Sequence, residues 1–449
     1  MNRTDHITSG PIARTVISLA VPVTAGMFME FALNGINYFW VGRLGPTAQD
    51  AVTTSMVVIW TIFSLISIIS VGLTALVSRH VGARDFERAA YFVKQGLVLA
   101  VGLGAVLSVA GFFLAPVGLR FMDSGPDTKH LAIPYLQVFF ASAVVFFLAD
   151  TAYAAFRASG DTRTPTWIGI LVVVLNMALD PLLIFGLGPM PELGVAGASV
   201  ATGCSVLIGT VIVLRKIFKG SLGYRVKWSS GERPQIREML RIARIGLPIA
   251  VQQFTFVVVY WFLIKIVHQF GETAAAAMGI GNRMESLSYF TCFGFSIAAS
   301  TMVGQNLGAG QPDRAGQCAW GAVRMALALT FIISVFFVTI PSSIASIFTD
   351  NAAVLAIATD YLIILGLSQV TMATEIVLEG AFGGAGDTLP PMLVMIPGAV
   401  ARIPLAYLLC FTLDWGINGV WWTLTITTTL KAITLAVWFK RGHWKARQV

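Results

Sequence analysis

A carboxylic acid and an amide lie four residues apart inside a long apolar stretch of the chain. Asp180 follows Asn176 by one helical turn, so the two side chains share one helix face. Pro181 has no backbone N–H, which leaves the Met177 carbonyl without its helical donor. A charged acid in hydrocarbon costs roughly 3 kcal/mol or more, and carboxylate, amide and carbonyl oxygens together suit a proton or a sodium ion. We therefore predict a cation site at Asp180 and Asn176, against the alternative of a polar cluster that only stabilises a kink.

Four further acids lie within other apolar runs, and their neighbours suggest different roles. They are Asp150, Glu285, Glu375 and Glu379. Glu375 and Glu379 share one helix face and suit a cation-attracting or second protonation site, although Glu379 is close enough to a loop to be a solvated helix end. Glu285 follows Arg283, so we expect either an internal ion pair there or a role in transport. Asp150 has no partner in sequence.

Aromatic and flexible side chains suit a substrate surface. Phe256 and Tyr260 in a later apolar run, with Met27 in the first, are typical of a plastic surface that binds flat cations. Packing or lipid-facing residues have the same composition, which is the alternative interpretation. Asp161 and Asp387 stand in two GDT motifs, and we expect them to satisfy the ends of helices.

The composition excludes a water-soluble fold and gives no sign of an enzyme. Of the 449 residues, 56% are hydrophobic and only 12% are charged, whereas an ordinary soluble domain has about 25% charged residues. The net charge of +8 comes from basic residues between apolar runs, so it indicates a membrane surface and not a nucleic acid. The cysteines and histidines are too dispersed for a metal, disulfide or nucleophilic site. We expect no enzymatic activity and no cofactor.

Twelve apolar stretches are long enough to cross a bilayer, since a crossing needs about twenty residues. We place them near 15-40, 51-77, 91-117, 131-156, 164-187, 193-215, 245-268, 274-300, 317-340, 354-380, 390-412 and 416-438. They are continuous and lack the alternation of barrel strands, which predicts an all-α integral membrane protein. Lys and Arg concentrate in alternate loops, so we expect a multi-pass protein of the plasma (inner) membrane with both termini in the cytoplasm.

The longest hydrophilic stretch divides the chain into two lobes. Residues 215-244 hold nine Lys or Arg against two Glu, between lobes 1-214 and 245-449. The apolar residues near the end of this stretch have helical spacing, beginning at Ile236. We predict a basic cytoplasmic linker with a surface helix that is attracted to anionic headgroups.

The two lobes repeat one pattern at a constant offset of 226 residues. The matching segments are Pro22 and Pro248, Gly82-Ala83 and Gly308-Ala309, and Gly160-Asp161-Thr162 and Gly386-Asp387-Thr388. Each lobe has six predicted helices, an even number, so both lobes begin on the same side of the membrane. The sequence therefore predicts two parallel six-helix repeats around a central cavity, with a substrate site where the repeats meet.

Several motifs in this order resemble those of the MATE (multidrug and toxic compound extrusion) family, closest to its DinF-like prokaryotic branch. They are FWVGRLG at 39-45, VGARDFERA at 81-89, RASGDTRTP at 157-165, NMALDPLLIFG at 176-186, GVAGASVAT at 194-202, VGQNLGAG at 303-310 and EGAFGGAGDT at 379-388. The resemblance covers nearly the whole chain. It implies antiport, in which amphipathic and often cationic compounds leave the cell against an inward flow of protons or sodium ions.

The resemblance also implies which residues hold the coupling ion. It places a cation site in the N-terminal lobe at Asn176 and Asp180, with Thr202 as a further polar member. Many relatives have an aspartate where this chain has Asn37, so one expected carboxylate is missing. Glu30 lies two helical turns earlier on the same face and either supplies that charge or is a snorkelling or cavity-solvated acid.

We thus expect a monomeric transporter of small molecules that works in the lipid bilayer and binds no nucleic acid. The alternative is a flippase for a lipid-linked precursor from the same superfamily, for which a more cationic cavity is expected. An enzyme lacks clustered ligands in the sequence, and a channel lacks a pore-loop signature. These comparisons favour a cation-coupled antiporter.

Overall fold

A computed structural model describes residues 3–120, 125–227 and 233–447, and the regular structure in these ranges is helical throughout. The helices before the linker are α1 (Arg3–Ser9), α2 (Ile12–Gly42), α3 (Pro46–Gly82), α4 (Phe86–Arg120), α5 (Pro126–Ala141), α6 (Ala143–Ala158), α7 (Arg163–Ile184) and α8 (Val195–Phe218). Those after it are α9 (Ile236–His268), α10 (Glu272–Gly308), α11 (Pro312–Thr339), α12 (Pro341–Ala345), α13 (Ala352–Ala385), α14 (Leu389–Val400), α15 (Arg402–Tyr407) and α16 (Asn418–Arg441). A π-helical turn, Leu408–Thr412, follows α15, and a 3₁₀ turn, His443–Ala446, follows α16.

The number of membrane-spanning segments agrees with the sequence. Among the described residues, 11 helical segments are long and apolar enough to cross a membrane, and a bent pair of shorter helices brings the number to 12. One of the 11 is Leu389–Thr412, which combines α14, α15 and the π-helical turn. The predicted all-α, twelve-helix membrane fold is therefore confirmed.

The bent pair, α5 and α6, corresponds to the predicted span 131-156. Its axis turns by 49° at Ser142, where no proline is present. The Ser142 hydroxyl donates to the Val138 carbonyl at 3.1 Å, and the Ser142 amide is shared between the carbonyls of Val138 and Phe139. A serine hydroxyl that bonds back to the preceding turn bends a helix. The sequence predicted the span but not its bend.

The end of the basic linker is helical but does not form a separate surface helix. Ile236 begins α9, which continues for 33 residues to His268, so the amphipathic start and the apolar span are one helix. The expected surface helix is therefore not separate from the span, since α9 continues through Gly246 and Pro248 without a break. Residues 228–232 of the linker lie outside the described ranges.

The internal repeat is visible in the helix boundaries. Helices α3 and α10 are both 37 residues long, and their first and last residues differ by the same 226 positions. Helices α4 and α11 begin at Phe86 and Pro312, which are also 226 positions apart. The repeats differ where one copy bends: α13 is continuous over the region that corresponds to α5 and α6.

The chain folds into two compact units that exchange the beginnings of two helices. One unit, here called the C-terminal unit, contains Met1–Thr24 and Pro248–Val449, and the other contains Ala25–Leu247. The beginning of α2 thus belongs with the C-terminal helices, and the beginning of α9 belongs with the N-terminal helices. Both divisions fall close to the repeated prolines Pro22 and Pro248.

Inside the Ala25–Leu247 unit, the beginning of α9 packs closely against α3. A side chain at Gly246 would meet the backbone carbonyl of Ile68, and one at Gly72 would meet that of Ile242. The backbones approach so closely because glycine stands at each crossing point. Arg241 adds a contact in the same region, with its guanidinium carbon 5.6 Å from the ring centre of Phe92.

Inside the other unit, the beginning of α2 packs against α10 in the equivalent way. Val16, Leu19 and Ala20 share a buried apolar cluster with residues of α10, α11 and α13. A side chain at Gly294 would meet Thr24 and the carbonyl of Ala20. At the repeat offset, Gly246 of α9 corresponds to Ala20 of α2, and Gly294 of α10 corresponds to Ile68 of α3. These two glycines therefore stand at different positions of the repeat.

We expect Gly246→Ala to destabilise the protein by about 1–3 kcal/mol, because the added methyl group meets backbone atoms that cannot rotate away. Thermal unfolding of the detergent-solubilised protein measures the change. Gly102→Ala is the matched control, since no atom of the described structure lies within 4 Å of a Cβ there. In a helix interior this control should be neutral or stabilise by about 0.5–1 kcal/mol. An equal loss of stability in both variants would contradict the close packing at α9.

Candidate functional site

The predicted cation-site residues of α2, α7 and α8 form one hydrogen-bonded cluster. Asn37 Nδ2 donates to Asn176 Oδ1 at 2.9 Å. Asn176 Nδ2 donates to Asp180 Oδ1 and to Thr202 Oγ1, both at 3.2 Å. The one-turn spacing of Asn176 and Asp180 therefore brings them together, and α2 and α8 complete the cluster. Thr202 also donates to the Ala198 carbonyl at 2.9 Å, which fixes its hydroxyl.

Two oxygens of this cluster are buried without a hydrogen-bond partner among the described residues. They are Asp180 Oδ2 and Asn37 Oδ1. Asp180 is fully buried, with 0% of its surface exposed, and it forms no ion pair with a described Lys or Arg. A buried oxygen that lacks a donor is costly, so this arrangement favours an added proton or cation. A hard cation such as sodium prefers oxygen ligands of this kind.

Tyr135 of α5 is a neighbour of Asp180 that the sequence did not indicate. It is 9% exposed and interacts electrostatically with the Asp180 carboxylate. Its position depends on how α5 packs against α8 and α3, which periodicity within one helix does not reveal.

Glu30 lies in a different group of charges. Its side chain is exposed and interacts with Asp150, whereas the electrostatic neighbours of Asp180 do not include it. Asp150 pairs with Arg157 at 3.2 Å, and Tyr153 interacts with both acids and with Arg157. The expectation that Asp150 has no partner in sequence was wrong, because Arg157 lies two turns further along the same helix and on the same face. The structure groups Glu30 with Asp150 and not with Asn37 and Asp180.

The acid on α13 is buried beside a base in the C-terminal unit. Lys431 Nζ lies 2.7 Å from Glu375 Oε1, and their side chains are only 6% and 9% exposed. Glu375 Oε2 is buried without a partner among the described residues. Glu379, one turn further along α13, interacts with Glu375 and Lys431, so it is part of this charged group.

Glu285 does not pair with Arg283 as predicted. Within the described ranges it forms no ion pair, and Arg402 of α15 is the base that interacts with it most strongly. Positions two apart on a helix point to different sides, which explains why Arg283 and Glu285 do not meet. The prediction of an internal Arg283–Glu285 pair was wrong.

Arg402 itself is held by hydroxyl groups. Its Nε donates to Thr427 Oγ1 at 3.0 Å and its Nη2 to Thr428 Oγ1 at 3.1 Å. The guanidinium carbon also lies 5.8 Å from the ring centre of Phe256. Arg402 and Lys431 were not predicted from the sequence. Both lie inside predicted spans, where a charged base is as costly as a charged acid, and that position was the signal for them.

The predicted substrate residues Phe256 and Tyr260 stack on each other in the same unit. Their ring centres are 6.0 Å apart and their planes differ by 18°. Tyr260 accepts a hydrogen bond from Asn282 Nδ2, which in turn connects to Tyr361 through its carbonyl oxygen at 3.4 Å. Met27, which was also predicted to belong to the substrate surface, lies in the other unit and is half-buried.

The two GDT motifs lie directly before α7 and α14. Asp161 Oδ1 accepts from the Thr164 amide at 3.0 Å and Oδ2 from its hydroxyl at 2.7 Å, which confirms that Asp161 satisfies the start of α7. Asp387 Oδ1 lies 3.9 Å from Arg447 Nε, and burial raises the pKa of the Asp387 carboxyl above its usual range. Among the described residues, His, Cys, Asp and Glu form no group of three that would hold a metal ion.

Comparison with known proteins finds the same pattern twice in the chain. The MatE family profile matches residues 22–182 and again 248–408, and the two matches have the offset of the internal repeat. The chain is 27% identical to the probable multidrug resistance protein NorM of Thermotoga maritima, over 98% of this chain and 94% of that protein. It is 25% identical to a FAD transporter of Shewanella oneidensis, over 95% and 94% of the two chains.

Two solved structures have the same fold. One is the outward-facing conformation of a multidrug resistance MATE family transporter of the MOP superfamily, with a TM-score of 0.91 and 23% identity over 99% of this chain and 98% of that one. The other is a MOP superfamily transporter from Pyrococcus furiosus, with a TM-score of 0.91 and 22% identity over 99% and 98%.

We expect Lys431→Met to destabilise the protein by about 3–5 kcal/mol, because it leaves the buried Glu375 carboxylate unpaired. The double variant Glu375→Gln/Lys431→Met should lose less stability than Lys431→Met alone, and thermal unfolding measures both. Lys445→Met is the control, since Lys445 Nζ also lies 2.7 Å from a carboxylate, that of Asp313, but at an exposed position. That control should change stability little. A double variant less stable than Lys431→Met would contradict the proposed cost of an unpaired charge.

Proposed function

The chain belongs to the MatE family, and we propose that it is a cation-coupled antiporter that exports amphipathic, often cationic, small molecules. Family membership makes it a multi-pass membrane transporter and not an enzyme. The coupling ion, a proton or a sodium ion, is expected to bind at Asp180 and Asn176, with Asn37 and Thr202 as further members of the site.

The observation that carries this proposal is the pair of buried oxygens without donors, Asp180 Oδ2 and Asn37 Oδ1. A proton on Asp180 would turn its carboxylate into a hydrogen-bond donor and remove a buried charge. A sodium ion would instead take both oxygens as ligands. In either case, the charge of Asp180 is compensated only while the ion is bound, which is what coupling requires.

The proposed cycle is alternating access by the two halves of the transporter. The cation enters from outside and binds at Asp180, which favours release of the substrate to the outside. After the cation leaves to the cytoplasm, the transporter binds a new substrate molecule from that side. Each inward charge is worth about 2.3 kcal/mol per 100 mV of membrane potential, so one cation per cycle drives a modest substrate gradient.

The charge pattern of the loops supports the proposed orientation. Lys440, Arg441, Lys445 and Arg447 follow the last span, and the linker 215-244 is basic. Positive loops face the cytoplasm, so both termini and the linker are proposed to lie there, in the plasma (inner) membrane. We propose that the transporter acts as a monomer with small-molecule substrates.

The rival function, a flippase for a lipid-linked precursor, is less well supported. Its anionic substrate requires a cavity with net positive charge. The C-terminal unit does contain the buried bases Arg402 and Lys431, but three acids interact with them: Glu285, Glu375 and Glu379. The charged group is therefore not predominantly cationic.

We expect Asp180→Asn to reduce gradient-driven dye efflux from proteoliposomes about tenfold or more, since coupling between two ligands typically amounts to about 1–3 kcal/mol. The assay imposes a pH gradient or a sodium gradient separately, and the gradient that drives efflux in the wild type identifies the ion. Asp50→Asn is the matched control, because Asp50 is an exposed carboxylate in the same unit, bonded to Thr128. Full coupling in Asp180→Asn would refute the assignment of this site.

Glu30→Gln should have a different effect, because Glu30 lies with Asp150 and not with Asp180. We expect unchanged ion coupling and a KM for a cationic dye raised about fivefold, the effect of roughly 1 kcal/mol of lost attraction. The exposed Glu192→Gln serves as the control in the same efflux assay. If Glu30→Gln abolished coupling as completely as Asp180→Asn, Glu30 would have to be included in the ion site.

A further inference from the structure

Arg402 is a buried cation without an anionic partner. Only 5% of its surface is exposed, and its two hydrogen bonds go to neutral threonine hydroxyls. No carboxylate of residues 3–120, 125–227 or 233–447 lies within ion-pair distance of it. Hydrogen bonds to neutral hydroxyls do not offset the free energy of desolvating a guanidinium, so the site lacks a negative charge that would compensate Arg402.

Glu285 is the complementary case on α10. It interacts with Arg402 across a gap but forms neither an ion pair nor a hydrogen bond within the described part of the chain. The nearby acid Glu375 is already paired with Lys431 through Oε1, and its Oε2 has no donor. An unpaired base and an unpaired acid therefore face the same region of the C-terminal unit.

An aromatic surface adjoins this region. Phe256, whose ring centre is 5.8 Å from the Arg402 guanidinium carbon, is 42% exposed and stacks on Tyr260. Nε and Nη2 of Arg402 donate one hydrogen bond each, which leaves Nη1 and the second hydrogen of Nη2 for a ligand. Guanidinium groups bind carboxylates and phosphates well. A planar ring system on Phe256 would bring an attached anionic group to Arg402.

We propose that this group, Phe256, Tyr260, Glu285 and Arg402, is a binding site for planar aromatic zwitterions, with the anionic group at Arg402 and the cationic group near Glu285. A purely cationic ligand would leave Arg402 without a counter-charge. A purely anionic ligand would be repelled by Glu285 and by the unpaired oxygen of Glu375. A zwitterion alone compensates both unpaired charges at once.

This inference rests on the proposed export function only in making the bound zwitterion a substrate. Binding itself needs no gradient and does not involve Asp180, so it is measured on the purified full-length protein in detergent. Failure of binding would leave the coupling experiment on Asp180 unaffected. Failure of coupling would equally leave the binding measurement unaffected.

The test compares two dyes with one ring system: rhodamine B, a zwitterion with a free carboxylate, and its ethyl ester, which is only cationic. Fluorescence anisotropy gives the Kd of each. The wild type should bind rhodamine B more tightly than the ester. Arg402→Gln should raise the Kd for rhodamine B about tenfold, as expected for a lost charge-assisted contact, and change that for the ester less than about twofold. Glu285→Gln should weaken both dyes.

The control variant is Arg324→Gln, an exposed arginine of α11 that bonds only to the Trp320 carbonyl, and it should leave both Kd values unchanged. Tighter binding of the ester than of rhodamine B by the wild type would overturn the proposal without any variant. An equal loss of both dyes in a folded Arg402→Gln protein would also overturn it. Tighter binding of the dianion fluorescein than of rhodamine B would make this an anion site and refute the zwitterion assignment.

Discussion

The arrangement of this protein depends on the cost of a charge that is removed from water and left without a counter-charge. The two units meet this constraint in different ways. In the Ala25–Leu247 unit, the carboxylate of Asp180 is surrounded by amide and hydroxyl groups, which accept or donate hydrogen bonds but carry no charge. In the other unit, Glu375 has a lysine within 2.7 Å. An acid among neutral groups can still bind a mobile ion that compensates its charge. A lysine fixed beside an acid compensates that charge permanently.

This difference breaks the symmetry of a repeat that is otherwise closely kept. The helix boundaries of the two halves follow one offset, and the family profile matches each half separately. Yet Asp180 corresponds to Ala406. In the last pair of helices, where Gly194 and Gly416 match at an offset of 222, Lys431 of α16 corresponds to Gly209 of α8. Duplication supplied the scaffold of two similar units, and later substitutions gave each unit its own charges.

Whether the sequence could predict a contact depended on how far apart along the chain the two residues lie. Asn176 and Asp180 were predicted because one helical turn separates them, and that relation holds wherever the helix packs. Asn37 and Thr202 entered through the family resemblance, since nothing in their own helices connects them to Asp180. The position of Glu30 could not be predicted, because it depends on how α2 lies against α6. The Arg283–Glu285 pairing contradicted helix geometry that was already available from the sequence.

The exchange of helix beginnings between the two units also bears on how the chain is made. Residues 12–24 leave the ribosome long before their partners, because Val16, Leu19 and Ala20 have their buried neighbours on α10, α11 and α13, which are synthesised more than 250 residues later. The Ala25–Leu247 unit is complete as soon as the start of α9 has emerged. The start of α2 must therefore wait in the membrane, only partly packed, until α10, α11 and α13 have been inserted.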